Sequence, residues 1–295
     1  MPKTQHWQWY VEEFAPTEQH HHALDELLFS GRSKFQQIAV VRSPVFGKML
    51  VIDGDTQSSQ ADERIYHETL VHPALAGVSD RSDVLILGGG EGATLREILR
   101  CPDVTRCTMV DIDAMVIELS KKYLGEWSAG AFDDERARVV VGDALDFMRT
   151  DAGRYGAIVS DLTEPLEDSP SNPLFNEDVF ALIKARLLEG GVYVLQASTA
   201  AVHNAALHCK MARTLRRHYA HVVSFITHVP AFDTQWAFLA CSDRADLSKL
   251  EPRQIDAYCA RLRGENFFYD SITHRRLFAL PLYLRRMLAA GGDTF

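Results

Sequence analysis

The run Val84–Arg100, VLILGGGEGATLREILR, constrains this chain more than any other stretch. An apolar strand runs into glycines and leaves them as a helix. Units of this kind belong to open parallel sheets, in which ligands sit beyond the carboxyl ends of the strands. Gly88, Gly90 and Ala93 fit the G-x-G-x-x-G/A spacing, a weak signal by itself. Three readings compete: a dinucleotide site, an S-adenosyl nucleoside site, and a tight turn with no ligand. Glu91, in the middle of the loop, weighs between them. A carboxylate there repels pyrophosphate by about 4 kcal/mol at ~4 Å and an effective dielectric near 20. A sulfonium nucleoside with an amine tail gains instead. The plainer role for Glu91 is an acid favouring the helix dipole.

From about residue 66 onward, short apolar strands alternate with helical stretches. The strands expected are 83–87, 106–111, 137–141, 156–160, 191–196, 222–226 and 235–240, with helices at 92–100, 113–124 and 176–188. This alternation predicts a Rossmann-like, mostly parallel α/β sheet with helices on both faces. The last two strands, joined by a short loop, read as an antiparallel hairpin. Residues 1 to about 65 read as β-rich, with two β-branched runs around Ser43-Pro44 and a turn at Asp53-Gly54-Asp55. Within them QHHHALDELLFSG has a helical look, with Leu24, Leu27 and Leu28 on one face and Gly31 as its stop. The division expected is a β-rich unit over 1–65 and a catalytic α/β unit over 66–295.

Acidic residues gather at the carboxyl ends of these strands. Asp111 lies about 20 residues past the glycines, where an acid reaches ribose hydroxyls. Asp113 reads as the N-cap of the next helix. Asp143 closes the third strand, as an acceptor for an adenine amino group or equally as a helix cap. Asp161 and Glu164 follow the fourth strand in SDLTEP, the catalytic candidate. Five acids at one sheet edge are unstable together unless a cation or polar ligand joins them. Residues 164–175 form a Pro/Ser/acidic loop, either a lid or surface padding.

A net charge of −9 argues against nucleic acid as a partner. No apolar run approaches the roughly 20 residues of a membrane span. The five scattered cysteines and the absence of an apolar leader lead us to expect a cytoplasmic protein. His20, His21 and His22 lack companions at zinc-like spacing and read as a solvated helix face, so no metal is expected. His228 and Trp236 flank Phe232 as packing or as ligand contacts, and YLRRMLAAGGDTF reads as an amphipathic tail helix.

Taken jointly, GGGEGATLRE, VDID, GDA and SDLTEP, with DGDTQSSQADERIYHETLVHPAL upstream, resemble the polyamine aminopropyltransferases, the spermidine synthase family. The upstream block, THVPAFDTQWAF and RGENFFYD are most similar to the thermospermine synthase branch. The resemblance implies decarboxylated S-adenosylmethionine as co-substrate, with no prosthetic group. It implies that Glu91 holds the aminopropyl amine, that Asp111 holds the ribose, and that Asp143 with Ala144 contacts adenine. Gln36, His67, Gly88 and Gly90 complete the donor site. It implies that Asp161 takes the proton of the attacking amine, and that Tyr66, Glu164, Gln196 and Phe232 line the amine pocket. Many spermidine synthases have Tyr-Gln at the Tyr66-His67 pair, Asp-x-x-Asp-Pro at Asp161–Pro165, and a tyrosine at Phe232. The departures at Glu164 and Phe232 disfavour putrescine and favour a longer polyamine, spermidine, giving thermospermine or spermine. Spermidine synthesis from putrescine, methyl transfer from S-adenosylmethionine, and a non-catalytic polyamine-binding module are the competing readings. The resemblance also implies a homodimer or homotetramer built partly through the N-terminal region.

Overall fold

The computed structural model describes residues 8–15, 17–165 and 169–290. Strands β1 (Gln8–Ala15) and β2 (Glu18–Leu24) form a hairpin. Strands β3 (Glu26–Arg32), β4 (Gln37–Ser43), β5 (Gly47–Ile52) and β6 (Asp55–Ser59) make a four-stranded antiparallel meander. Helix α1 (Glu63–Gly77) then leads into the main sheet.

That sheet consists of β7 (Asp83–Gly88), β8 (Arg106–Asp111), β9 (Ala137–Val141), β10 (Tyr155–Asp161), β11 (Leu187–Thr199), β12 (His221–Val229) and β13 (Thr234–Ser242). The spatial order is β12-β13-β11-β10-β7-β8-β9. The five strands from β11 to β9 pair in parallel, while β13 runs antiparallel to both β11 and β12. Each strand read from the sequence is present, as is the terminal hairpin. After β7 the chain turns outward to β8 and β9, then returns to β10 on the other side of β7. The carboxyl ends of β7 and β10 therefore flank the reversal of strand order, where such sheets bind ligands.

The parallel strands are apolar on both faces because both faces are covered. Val84 and Ile86 pack with α1 and with α2 (Ala93–Leu99), while Leu85 and Leu87 pack into the opposite layer. All four side chains are buried, each contributing roughly 1.5–3 kcal/mol. Helices α3 (Ala114–Tyr123), α4 (Gly125–Ser128), α5 (Ala144–Thr150), α6 (Glu177–Arg186), α7 (Ala206–Leu215), α8 (Pro252–Cys259), α9 (Ser271–Phe278) and α10 (Leu282–Ala290) complete the layers. The last residues of the expected tail helix, 291–295, lie outside the described residues. Ile38, Val40, Leu50 and Ile52 of the meander pack on Ala93, Val116, Leu119 and Trp127, joining the β-rich region to the sheet edge.

The expected helix over QHHHALDELLFSG is two strands. Its residues alternate with period two: His22 is buried and His21 exposed, and each pairs across to β1. The triple histidine is therefore no helix face. The leucines that suggested one stripe are dispersed, with Leu24 ending β2 and Leu27 exposed beside a bulge against β4. Gly31 stops no helix; a Cβ there would lie 2.8 Å from the Phe29 ring. Cross-strand pairing overrode a local 3.6-residue spacing.

Candidate active site

The glycine loop is shaped by the neighbouring strand. Gly88 has φ +84°, and a Cβ on it would stand 2.3 Å from the Asp161 carbonyl oxygen. Gly89 donates its N–H to that oxygen at 2.9 Å. A Cβ on Gly90 would stand 2.7 Å from Asp111 Oδ2, which accepts the Gly90 N–H at 2.9 Å. Only glycine lets loop, β8 and β10 converge so closely.

A cavity opens above this junction. Its lining includes Gln36, Gly88, Gly90, Glu91, Asp111, Asp143, Ala144 and Asp161, with Tyr66 at one side. Eight positions scattered from 36 to 161 are thus brought to one wall. Burial, with Asp113 and Asp161 nearby, pushes the Asp111 carboxyl up to about 6. Asp113 caps α3 by accepting the Met115 N–H at 3.0 Å. Its other oxygen accepts from Gln36 Nε2 at 3.0 Å and from Ser33 Oγ at 2.6 Å, which fixes the Gln36 amide over the cavity. Of the roles weighed for Asp143, the helix cap is present. It caps α5 through the Leu145 and Asp146 N–H groups at 2.7 and 3.0 Å, and it lines the cavity.

Glu91 is not a bare carboxylate. Its Oε1 lies 2.6 Å from His67 Nε2, and its Oε2 accepts from Ser58 Oγ at 2.6 Å. Burial works against charge on His67, but Glu91 and Glu63 outweigh it and hold the ring well above the usual histidine range. His67 lines neither cavity; it stands behind Glu91. Asp161 lies at the centre. Its Oδ1 accepts from the Tyr66 hydroxyl at 2.9 Å and its Oδ2 from Thr94 Oγ1 at 2.6 Å. Burial, and then Asp161 itself, push the Tyr66 phenol well above its ordinary value, so it remains a donor.

A second cavity shares Gln57, Tyr66, Leu162 and Thr163 with the first. Its wall carries Glu164, Gln196, Phe232 and Trp236, together with Glu12 and Asp55 from the β-rich region. Gln196 Nε2 donates to the Leu162 carbonyl at 2.7 Å, holding the segment that carries Glu164. Burial pushes Glu164 up, and it pushes Asp55 up to about 7, with Glu12 and Glu164 adding to the latter. Phe232 packs against Trp236 at 4.9 Å and Tyr66 at 6.1 Å between ring centres. His228 is exposed and touches neither cavity. In the 164–175 loop, Pro170, Ser171 and Leu174 form part of the first cavity's wall, so the loop is more than surface padding; residues 166–168 lie outside the described residues.

Glu12, Asp55, Gln57 and Thr94 were not read as site residues. Asp55, Gln57 and Thr94 lie within motifs that carry the family resemblance but had no role of their own there, while Glu12 carries no local signal at all. Among the described residues no cluster of three or more His, Cys, Asp or Glu could hold a metal ion, and no helix is long and apolar enough to cross a membrane.

The fold and the paired cavities define the class: a Rossmann-like, methyltransferase-type α/β protein with a two-chambered, acid-lined cleft at the sheet edge. Residues 63–250 match the family model of the spermine/spermidine synthase domain, and residues 8–60 that of the spermidine synthase tetramerisation domain. The polyamine aminopropyltransferase of Sulfolobus acidocaldarius is 42% identical over 96% of this chain and 93% of its own. That of Aeropyrum pernix is 43% identical over 96% and 91%. A spermidine synthase solved with the transition-state analogue AdoDATO superposes with a TM-score of 0.90 at 25% identity, covering 98% of this chain and 99% of that one. The Thermotoga maritima spermidine synthase gives 0.86 at 25% identity over 97% and 98%. The chain belongs to the spermine/spermidine synthase family of polyamine aminopropyltransferases, and is an enzyme of that class.

Proposed function

We propose that the protein transfers the aminopropyl group of decarboxylated S-adenosylmethionine to spermidine, giving thermospermine or spermine and releasing methylthioadenosine. The observation that carries the acceptor is the second cavity: adjoining the first at Tyr66, it is lined by four acids, Glu12, Glu13, Asp55 and Glu164. A diamine has one ammonium besides the attacking nitrogen; a triamine has two, and so can neutralise more of this wall.

In the proposed reaction the donor's adenosine lies along Gln36, Asp111, Asp143 and Ala144, and its amine meets Glu91. His67 supports Glu91 from behind. The acceptor extends past Tyr66, Glu164, Gln196 and Phe232. Its attacking nitrogen must be neutral, which costs about 4 kcal/mol at pH 7 for an amine of pKa near 10. Asp161 takes that proton. The new N–C bond forms as the S–C bond breaks, and the sulfur leaves with the electron pair as a thioether. The two hydroxyls on Asp161 aim its carboxylate, and positioning supplies much of the remaining rate.

Incubation with the donor and putrescine, cadaverine or spermidine tests this. Release of methylthioadenosine fastest with spermidine supports the reading, whereas faster release with putrescine makes the enzyme a spermidine synthase. Binding without release points to a non-catalytic module. The match at residues 8–60 and the exposed Trp9, Val11 and Leu27 support assembly as a homodimer or homotetramer. We further place the enzyme in the cytoplasm, which suits its unpaired cysteines.

A further inference from the structure

One chain of contacts runs from the molecule's outer layer to the donor chamber. Arg96 of α2 clamps both oxygens of Glu63, at 2.9 and 2.8 Å. Glu63, at the start of α1, meets His67 Nδ1 twice, through its carbonyl oxygen at 2.6 Å and its carboxylate at 3.1 Å. His67 Nε2 meets Glu91 Oε1 at 2.6 Å. The carbonyl of Glu63 can only accept, so Nδ1 must carry a proton. Glu91 Oε1 faces Nε2 as a carboxylate oxygen, which accepts, so Nε2 is placed to donate as well. Acceptors thus face both ring nitrogens, the arrangement that suits an imidazolium.

The surroundings reinforce this. The groups facing His67 are Glu63 and Tyr66 on α1, Asp62 just before it, Glu91 in the glycine loop, and Asp161 of β10 at 4.0 Å. Arg96 is separated from the ring by Glu63. If the ring lost its Nε2 proton, a lone pair would face the Glu91 carboxylate at hydrogen-bond distance. Glu91 would then have to turn away or take up a proton, because Asp111 and Asp161 crowd the same rim.

We propose that Glu63 and Arg96 are positioning residues which, through a permanently protonated His67, keep Glu91 ionised and aimed at the donor's amine. It follows that His67, although it is the histidine beside the reacting centre, is not the base. This inference rests on the donor assignment above only for its binding test.

Ring 15N chemical shifts of His67 test the proton directly. In the intact enzyme they should remain those of imidazolium from about pH 6 to 9; a titration near the ordinary histidine value overturns the proposal without any variant. In Glu63→Gln the inflection should move into that range, and in Glu63→Asp it should stay out of it. Calorimetric binding then separates the amine from the nucleoside. As pH rises through the new inflection, E63Q should lose roughly tenfold or more in affinity for decarboxylated S-adenosylmethionine, while methylthioadenosine, which has no amine, binds as before. Equal losses for both ligands mean a merely structural role, and no loss for either means that Glu91 needs no relay; each result overturns the proposal. If the unaltered enzyme binds neither ligand, the donor assignment has failed, and the 15N titration still decides the protonation of His67.

Discussion

The Tyr66 hydroxyl donates to Asp161 Oδ1 at 2.9 Å, linking the first turns of α1 to the end of β10. The bond lies where the two chambers meet, since Tyr66 lines both. With Thr94 on Oδ2, it gives the Asp161 carboxylate a fixed orientation, as the proposed role of proton acceptor requires.

Asp161→Asn should therefore lower kcat by roughly 10²-fold or more, with donor affinity almost unchanged. Steady-state kinetics paired with donor binding checks this. Near-normal turnover would remove Asp161 from its role.

Acceptor binding should release protons. Asp55 is pushed up to about 7 in the ligand-free cleft, so near neutral pH it is partly protonated. A bound ammonium favours the ionised form and expels that proton. By linkage, spermidine affinity rises as pH increases from about 6 to 8 and levels off above the ligand-free pKa. Calorimetry in buffers of different ionisation heat reads the proton count directly. Asp55→Asn should abolish the release, and an unchanged count in that variant would point to another group.

On the proposed reading, Phe232 shapes acceptor choice by what it lacks. It sits in the aromatic wall between Tyr66 and Trp236. Phe232→Tyr restores a hydroxyl that could serve a diamine, and should shift the ratio of kcat/KM toward putrescine by roughly tenfold. A ratio that does not move, measured with both acceptors in competition, would show that the ring only packs.

Glu68 anchors the C-terminal region rather than the chemistry. It is fully buried and accepts the N–H groups of Phe267, Phe268 and Tyr269, each at 2.8 Å, with Arg64 at 3.0 Å. Removing it leaves one buried and two partly buried N–H donors without this acceptor, and takes one of its partners from Arg64, which also bonds the Glu265 carbonyl. Glu68→Ala should cost about 3–5 kcal/mol in urea unfolding; a loss below about 1 kcal/mol would mean that this loop stays folded without it.

The five residues Asp161, Phe232, Tyr66, Asp55 and Glu68 differ in how legible they were. Asp161 closes a strand of buried residues, and Phe232 and Tyr66 stand within motifs whose order can be recognised. Asp55 and Glu68 were quoted but carried no assigned role. Their significance depends on partners far along the chain: Glu12 with Asp55, and residues 267–269 with Glu68. No local pattern encodes such pairs.

By itself, the amino-acid order determined the alternating α/β core, the glycine turn and the row of acids at the strand ends. Each is a local property, set by burial on both faces of a strand, by backbone freedom at Gly88 and Gly90, or by the residue that closes a strand. Only the tertiary structure decided that QHHHALDELLFSG pairs as strands, because hydrogen bonding to β1 and β4 outweighs a helical spacing. Only it joined Glu12 and Asp55 to Glu164, and set His67 behind Glu91. Charges separated by tens or hundreds of residues interact through distance and burial, and both exist only once the chain has folded.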